Sequence, residues 1–334
     1  MNYKEILENI LKNGKPKQPV RFDAQNNPVP VENGTIGTFC EIFRHDMSNR
    51  SFPLTTLRKM PFKSTCQELQ FFISGNTDKT WLNSLNNVFW KYWANPQKVE
   101  AALKDCQEKT QENISNNQII RKGLQEKITD LGPLGYSWEW RNFGKHYGEY
   151  EFEDVGEPNA IGEYHQIDNS NGLYDGFDQL KSMVDKLKIN PYDRRMITSF
   201  WNPNQLDKVA LPSCHLLHQV VVYGNKLNLS FYQRSCDWVI NQSITTYALL
   251  MLLLCEESGL EPGELVGIFA DCHVYDNQLP AIHELLKREE KDLPQVKIKR
   301  KPDGSFSIFD WTWEEVELVG YAPHPPLNMG SVTV

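Results

Sequence analysis

The sequence predicts an α/β (α+β) fold in which a large, mixed, twisted sheet is backed by buried helices. Two observations predict it. Apolar segments of strand length alternate with amphipathic segments of helical length, and Ile244–Glu257 is an almost wholly apolar stretch long enough for a helix. A helix that is apolar on every side has to lie in the core, and Gly259 marks its end.

The elements between residues 177 and 319 follow from the same patterns. We expect an amphipathic helix over Phe177–Leu187 and a strand over Met196–Trp201. Two central strands follow, over His218–Tyr223 and Lys226–Tyr232. Two late strands are expected over Lys297–Ile308 and Glu315–Val319. Gly224 and Asn225 stand between the two central strands, which predicts a tight hairpin turn.

Two polar segments, 95–130 and 144–171, interrupt the apolar pattern. The first has apolar residues at helical spacing and predicts a helical insertion, whereas the second is rich in Glu, Gly and Asn and predicts a loop. Neither has the character of an independent domain. We therefore predict a single domain over 1–334 that carries two polar insertions.

Composition and charge exclude several classes of protein. The chain has 334 residues and a net charge of −8, which argues against a general basic surface for nucleic acid and favours a small anionic ligand met by local arginines. The longest apolar run, Tyr247–Cys255, is too short to span a bilayer, and the N-terminus lacks an apolar signal core. Seven cysteines without paired spacing and eight histidines without ligand spacing predict reduced thiols and no metal. We expect a cytoplasmic protein without membrane partners.

Cys214 is the candidate nucleophile. It follows a proline, precedes a predicted strand and has His215 next to it, although a lone Cys–His pair is more often structural because free cysteines usually pack as small hydrophobes. Arginines at strand ends, in Asp193–Arg195 and Tyr232–Asp237, supply forked donors for a phosphate and positive charge that favours a thiolate. Together these segments predict an anionic substrate held beside a reactive cysteine.

The segment Asp271–Tyr275 is a further signal beside the two that contain arginines, and it places His273 and Tyr275 at alternating positions of a strand. Alternating residues share one face, so these two side chains can hold a sugar hydroxyl together. The same pair is compatible with a hydrogen-bonded polar pair in the core.

Taken in order and spacing, these segments resemble the folate-dependent thymidylate synthase family. The resemblance covers most of the chain outside the two insertions and is carried by the following motifs: Gly37-Thr38, Phe52–Thr56, Glu68-Leu69, Gly75–Thr77, Asp130–Pro133, Asp193–Asn202, Ala210–His215, Tyr232–Asp237, Thr246–Leu250, Asp271–Tyr275, Ile298–Pro302 and Gly320–Pro325. It implies the thymidylate-synthase-like fold, in which the sheets of two subunits pack against each other across a homodimer.

The resemblance also implies a mechanism that these residues can support. Cys214 would add to C6 of a pyrimidine nucleoside monophosphate, so that C5 attacks the one-carbon unit of 5,10-methylenetetrahydrofolate. Glu68 would act with ordered water as general acid and base. Elimination of tetrahydrofolate would leave an exocyclic methylene on the base, and no metal takes part.

A set of binding contacts follows from the same resemblance. Arg234 and Ser235 would meet the phosphate together with Arg194 and Arg195 from the partner subunit, so the phosphate site would be shared and the dimer required for function. Gln233 and His215 would lie beside the nucleotide, and His273 and Tyr275 would hold the sugar. Asp237 would bond to the pterin and Trp90 would pack against the folate. Val334 would end a tail that closes over the site.

Three positions depart from the family pattern. Ser243 stands where methylases carry the Asn that reads the uracil edge, in a segment two residues shorter, and Asn241 in the same segment is a further candidate for binding the base. Asn33 stands at or near a phosphate-binding Arg of the family. Tyr136 comes one residue later than the Tyr that helps to remove the C5 proton. All three concern the base, the phosphate or the proton-transfer step.

These departures favour retained chemistry on an altered base. We therefore expect a 5-hydroxymethylase of CMP or dCMP, in which water quenches the methylene. The alternatives are a thymidylate synthase that methylates dUMP and releases dihydrofolate, a dUMP hydroxymethylase, and a catalytically silent nucleotide-binding homologue. The sequence leaves open the base, the sugar and the pathway.

Overall fold

The computed structural model describes residues 2–22, 27–87, 89–111, 114, 117–145, 147 and 176–330. Most of the predicted loop over 144–171 and the C-terminal Val334 lie outside these residues. No helix in the described part of the chain is long and apolar enough to cross a membrane. All seven cysteines carry free thiols.

Strands and helices are interspersed along the described chain. The strands are β1 (Lys15–Lys17), β2 (Val20–Phe22), β3 (Pro28–Pro30), β4 (Thr35–Asp46), β5 (Ile197–Ser199), β6 (His215–Tyr223), β7 (Lys226–Asp237), β8 (Glu261–Tyr275), β9 (Gln295–Ile298) and β10 (Val316–Val319). The helices are α1 (Tyr3–Asn13), α2 (Phe62–Ser74), α3 (Thr80–Ser84), α4 (Pro96–Thr110), α5 (Gln118–Lys127), α6 (Trp138–Asn142), α7 (Gln179–Ile189), α8 (Ser243–Ser258) and α9 (Leu279–Leu286). The predicted α/β class is confirmed.

These elements group into two compact units. The first unit combines Met1–Cys66 with Cys214–Val334, and the second unit is Gln67–Ser213. The single domain expected over 1–334 stays a prediction.

A mixed sheet is the centre of the first unit. Its strands lie in the order β1-β4-β8-β7-β6, with β7 parallel to β8 and the other neighbours antiparallel. The predicted hairpin joins β6 to β7: Tyr223 pairs with Lys226, and Gly224 between them has φ +62°, a left-handed conformation that glycine adopts without strain.

Helix α8 backs this sheet and is almost completely buried, as its apolar sequence predicts. Tyr247 stacks on Phe231 of β7 with ring centroids 4.2 Å apart. The helix ends at Gly259, whose φ of +73° closes the last turn. Because each fully buried leucine contributes about 1.5–3 kcal/mol, this helix holds the strands that carry the polar residues described below.

The second unit contains the predicted helical insertion. Helices α4 and α5 pack through a cluster of buried and partly buried apolar residues: Ala94, Val99, Leu103, Ile120, Leu124 and Ile128. Asn95 and Asn117 begin the two helices, because their side chains accept hydrogen bonds from the first backbone N–H groups. The helical interpretation of 95–130 is confirmed.

Two expectations about strands were wrong. The strand expected over Lys297–Ile308 ends at Ile298, because Pro302 and a turn follow: the Gly304 N–H donates to the Lys301 carbonyl, and Gly304 has φ +81°. The strand expected from His218 begins at His215 instead, so the strand starts directly after Cys214.

Candidate active site

The thiol of Cys214 lies half-buried at the start of β6. The Arg234 Nη2 atom lies 4.0 Å from the sulfur, and the Arg234 backbone N–H donates to the Cys214 carbonyl over 2.8 Å. Strand β7 therefore places a guanidinium beside the thiol and ties the two residues together through the backbone. A positive charge at this distance gives an ionised sulfur an electrostatic partner.

The His215 side chain contacts the buried helix α8. Its Nδ1 lies 3.1 Å from the Tyr247 hydroxyl, and burial lowers the pKa of the imidazole to about 3. The ring is therefore neutral near pH 7 and acts here as a hydrogen-bonding group. Across the ladder, His215 pairs with Gln233 of β7.

Gln233 belongs to a chain of buried, hydrogen-bonded polar residues. The Ser243 hydroxyl donates to Gln233 Oε1 over 2.6 Å and contacts Asn241 Oδ1, and the Gln233 amide donates to the Ser235 carbonyl over 2.8 Å. The Ser243 backbone N–H donates to Asn241 Oδ1 over 2.9 Å. Within the described residues, the Asn241 Nδ2 group is buried without a hydrogen-bond partner.

The short loop that carries Asn241 is anchored on the first unit. The Trp238 indole donates to the Tyr3 carbonyl over 2.9 Å, and the Arg58 guanidinium donates to the Val239 carbonyl. The Tyr3 and Trp238 rings stack with centroids 5.5 Å apart. The loop is thus held in one conformation, and Arg58 is engaged in holding it.

Asp237 ends β7 with both carboxylate oxygens engaged. They accept from the Val239 N–H over 3.0 Å and from Gln278 over 2.7 Å, and burial raises the pKa of this carboxyl. Asp237 pairs with His273 of β8, whose ring lies 5.5 Å from that of Tyr275. The structure brings together these residues, which the sequence assigned to the folate and the sugar.

Glu68 lies on α2 and has an aromatic environment. The Trp90 indole donates to Glu68 Oε1 over 2.8 Å. Burial raises the pKa of Glu68 to about 7, and the bond from Trp90 opposes part of this rise. Tyr136 lies beside Trp90 with centroids 6.5 Å apart, and beside Phe72 at 5.4 Å. A carboxyl group that titrates near neutrality can both give and take a proton under working conditions.

Arg194 and Arg195 are exposed in the second unit. Arg195 Nε donates to Asp193 Oδ1 over 3.0 Å while its side chain stays 83% exposed. Both guanidinium groups are therefore accessible to a binding partner, and their assignment to a shared phosphate site stays a prediction.

Two buried groups escaped the sequence analysis. Glu139 is 1% exposed and accepts from Asn202 over 3.0 Å and from Gln205 over 3.1 Å, and burial raises its pKa to about 7. Lys79 is 0% exposed and donates to backbone carbonyls. A charged residue between two tryptophans could have signalled Glu139, whereas no pattern around Lys79 indicates burial.

Comparison with known proteins places this arrangement in a family. The family model described as thymidylate synthase matches residues 1–333. The chain belongs to the thymidylate synthase family. The resemblance carried by the sequence motifs is therefore confirmed. As a member, the protein is a one-carbon transferase that uses 5,10-methylenetetrahydrofolate as its co-substrate. Among the described residues, no cluster of three or more His, Cys, Asp or Glu side chains could hold a metal ion.

Individual relatives give the same family. The chain is 32% identical over 299 residues to a thymidylate synthase of Varicella-zoster virus (strain Dumas), a match that covers 89% of this chain and 85% of the relative. It is 33% identical over 316 residues to a thymidylate synthase of Staphylococcus haemolyticus, covering 88% and 89%. It is 34% identical over 299 residues to a bifunctional dihydrofolate reductase-thymidylate synthase of Paramecium tetraurelia, and this match covers 89% of the chain but 55% of that longer protein.

Proposed function

We propose that this protein is a thymidylate synthase, which methylates C5 of dUMP and releases dihydrofolate. The relatives named above support this function, since two of them are named thymidylate synthases and match over 85% and 89% of their length. They favour the methylase over the cytidylate hydroxymethylase that the altered base segment suggested.

Cys214 is the nucleophile in this proposal. Its thiolate forms a bond to C6 of the uracil ring, the C5–C6 π electrons move towards C5 and O4, and C5 then attacks the methylene carbon of the folate. Support comes from the guanidinium of Arg234, 4.0 Å from the sulfur. The phosphate is held by Arg234 and Ser235, and by Arg194 and Arg195 of the partner subunit, which makes the active enzyme a homodimer.

Glu68 is the general acid and base. It moves protons at the ring oxygen while the C5 proton leaves, and Tyr136 assists that removal. The bond from the folate N5 to the transferred carbon then breaks, and a hydride from tetrahydrofolate reduces the exocyclic methylene to a methyl group while the folate is oxidised to dihydrofolate. As the methyl group forms, the C5–C6 double bond is restored, the Cys214–C6 bond breaks and the thiolate is released. The pKa of about 7 for Glu68, raised by burial, supports this assignment.

The choice of uracil rests on one observation, the orientation of the Asn241 amide. A backbone N–H can only donate, so the Asn241 atom that accepts from the Ser243 N–H over 2.9 Å has to be the oxygen. The other amide atom is therefore a nitrogen, and this buried group has no partner among the described residues. A donor at this place complements the O4 carbonyl of uracil and opposes the amino group of cytosine. Asn241 and Ser243 together thus take the place of the base-reading Asn.

The remaining contacts complete the proposal. Gln233 and His215 lie beside the base, His273 and Tyr275 hold the sugar, and Asp237 meets the pterin. Trp90 acts on the folate side chiefly by orienting Glu68, since it is 1% exposed. Val334, the end of the tail assigned to closure over the site, lies outside the described residues.

Product analysis tests the proposed function. The protein is incubated with dUMP, UMP, dCMP or CMP and methylenetetrahydrofolate, and both products are followed by absorbance of dihydrofolate and by mass. We expect dUMP alone to react, to gain a methyl group and to yield dihydrofolate. A hydroxymethylated product with tetrahydrofolate would make the enzyme a hydroxymethylase, and nucleotide binding without any product would make it a silent homologue.

Substitution of Asn241 tests the choice of base. Asn241→Asp replaces the donor by a carboxylate oxygen, so kcat/KM for dUMP should fall by roughly 10- to 100-fold relative to that for dCMP. Ser243→Ala is the matched control, because the backbone N–H that orients Asn241 remains, and the ratio should change less. An unchanged ratio in Asn241→Asp would remove Asn241 from base recognition.

A further inference from the structure

Lys79 is a buried cation in the second unit that no part of the mechanism uses. Its side chain is 0% exposed, and its Nζ donates to the carbonyls of Lys91, Trp93 and Gln125 over 2.9, 2.5 and 2.7 Å. An ammonium group has three donors and no acceptor, so these three bonds satisfy it completely when it is charged. Burial is costly for a charged lysine, and it lowers the pKa of Lys79 to about 8.

The three carbonyls come from two different segments. Lys91 follows directly after Trp90 and Trp93 lies in the same segment, whereas Gln125 lies on α5 of the helical insertion. Lys79 is therefore a hydrogen-bonded bridge between the insertion and the chain next to Trp90.

More exposed contacts run parallel to this bridge. The Lys91 ammonium lies 2.8 Å from Glu126, and the Lys122 ammonium lies 4.5 Å from the centroid of the Tyr92 ring. Both pairs join α5 to the segment 91–93. Ion pairs at the surface contribute little, about 0–1 kcal/mol, so the buried bridge is the stronger constraint on this segment.

The segment matters because Trp90 touches the carboxyl group assigned to proton transfer. Its indole donates to Glu68 over 2.8 Å, and a donor of this kind stabilises the ionised carboxylate. If the carbonyls of Lys91 and Trp93 lost their shared donor, they would have to find new partners, because a buried unpaired carbonyl costs about 1–3 kcal/mol. The backbone next to Trp90 would then move, and the indole with it.

We propose that Lys79 is a positioning residue for Glu68: by tying residues 91–93 to α5, it holds the Trp90 indole in its hydrogen bond with the Glu68 carboxyl group. The helical insertion is thereby part of the proton-transfer apparatus and not only a surface addition. The inference rests on the role proposed for Glu68.

The test measures the pKa of Glu68 directly. Glutamate labelled with ¹³C at Cδ is titrated by NMR, and the Glu68 signal is assigned by its absence in Glu68→Gln. Trp90→Phe removes the donor and should raise the pKa of Glu68 by roughly 0.5 to 1 pH unit. Lys79→Met should raise it by a similar amount, and the double variant Lys79→Met/Trp90→Phe should raise it no further than Trp90→Phe alone.

Two further variants separate positioning from a general loss of stability. Lys109→Met removes an exposed ammonium from α4, where it pairs with Asp105, and should leave the titration of Glu68 unchanged. Lys79→Gln keeps two donors and provides a milder change if Lys79→Met does not fold. The proposal is overturned if a folded Lys79 variant titrates like wild type, or if the shifts in the double variant add up.

The readout keeps the two proposals apart. The NMR titration needs no turnover, so a protein that failed to convert dUMP would contradict the proposed function while Lys79 could still be tested. Conversely, an active enzyme in which the Lys79 substitutions left the pKa of Glu68 unchanged would contradict only this inference.

Discussion

The two groups to which we assign the reaction, the Cys214 thiol and the Glu68 carboxyl group, lie in surroundings of opposite kind. The thiol region, around Cys214, has a guanidinium at 4.0 Å and a chain of hydrogen-bonded polar side chains through Gln233. The carboxyl region, around Glu68, has aromatic rings and, among the described residues, one hydrogen-bond donor, Trp90. A nearby cation favours the ionised form of a group, whereas desolvation favours the neutral form. The same fold thus provides a cationic environment in one region and an apolar one in the other.

Removing the nucleophile tests the thiol region and should have the largest effect. Cys214→Ser replaces sulfur by a much weaker oxygen nucleophile, so kcat for dUMP should fall by at least about 10³-fold. Calorimetry should still show dUMP binding, since the phosphate contacts remain. Cys106→Ser on α4 is the control and should keep wild-type turnover. Undiminished turnover in Cys214→Ser would contradict covalent catalysis by this residue.

Neutralising the carboxyl region should have the next largest effect. Glu68→Gln cannot transfer a proton, so kcat should fall by about 10²- to 10⁴-fold, and the inflection near pH 7 in the pH profile should disappear. Glu100→Gln, on the exposed side of α4, should change neither. An inflection that survived in Glu68→Gln would assign proton transfer to another group.

Glu139 is a buried carboxyl group to which no reaction is assigned, and its raised pKa makes the stability of the fold depend on pH. Its pKa rises from 4.5 to about 7 through burial, so the folded protein retains a proton that the unfolded chain loses between these values. The retained proton contributes fully to the free energy of unfolding below pH 4.5. As the pH rises from 4.5 to 7, the free energy of unfolding falls by about 3 kcal/mol.

Glu139→Gln should therefore be more stable than wild type at pH 8 but not at pH 5. Urea unfolding at the two pH values measures the difference. Equal effects of the substitution at both values would show that Glu139 is ionised in the folded protein across this range.

His215 should have the smallest effect on pH dependence, although it is adjacent to the nucleophile. Because burial lowers its pKa to about 3, the imidazole does not titrate between pH 5 and 8. His215→Gln should therefore leave the inflection near pH 7 in place, with kcat/KM reduced by no more than roughly tenfold. A lost inflection would move the titrating group from the carboxyl region to the thiol region.

The sequence predicted those elements whose pattern is purely local. The hairpin at Gly224, the apolar helix α8 and the two helices of the insertion have strong periodicity or turn residues. Strand β4 and most of β8 were missed, because their burial alternates incompletely and charged residues such as Arg44 and Glu264 lie along them. Long half-buried strands of this kind do not stand out from loops in a single sequence.

In the site too, contacts that depend on local sequence could be predicted, and those that depend on distant segments could not. Placing Arg234 near Cys214 needed only strand ends, whereas the orientation of Asn241 depends on a loop fixed by Trp238 and Arg58 from distant parts of the chain. Lys79 could not be predicted either, since a lysine is normally exposed and its three acceptors are backbone atoms of separate segments.

The most direct test is to catch the covalent intermediate. The enzyme is mixed with dUMP and methylenetetrahydrofolate, denatured during turnover and digested with a protease. The mass of the peptide that contains Cys214 is then measured by mass spectrometry. We predict that this peptide gains the mass of the nucleotide, alone or with the folate, and that peptides with the other six cysteines stay unmodified. Thymidylate accumulating while the Cys214 peptide stays unmodified at every time point, or an adduct on a different cysteine, would contradict the account.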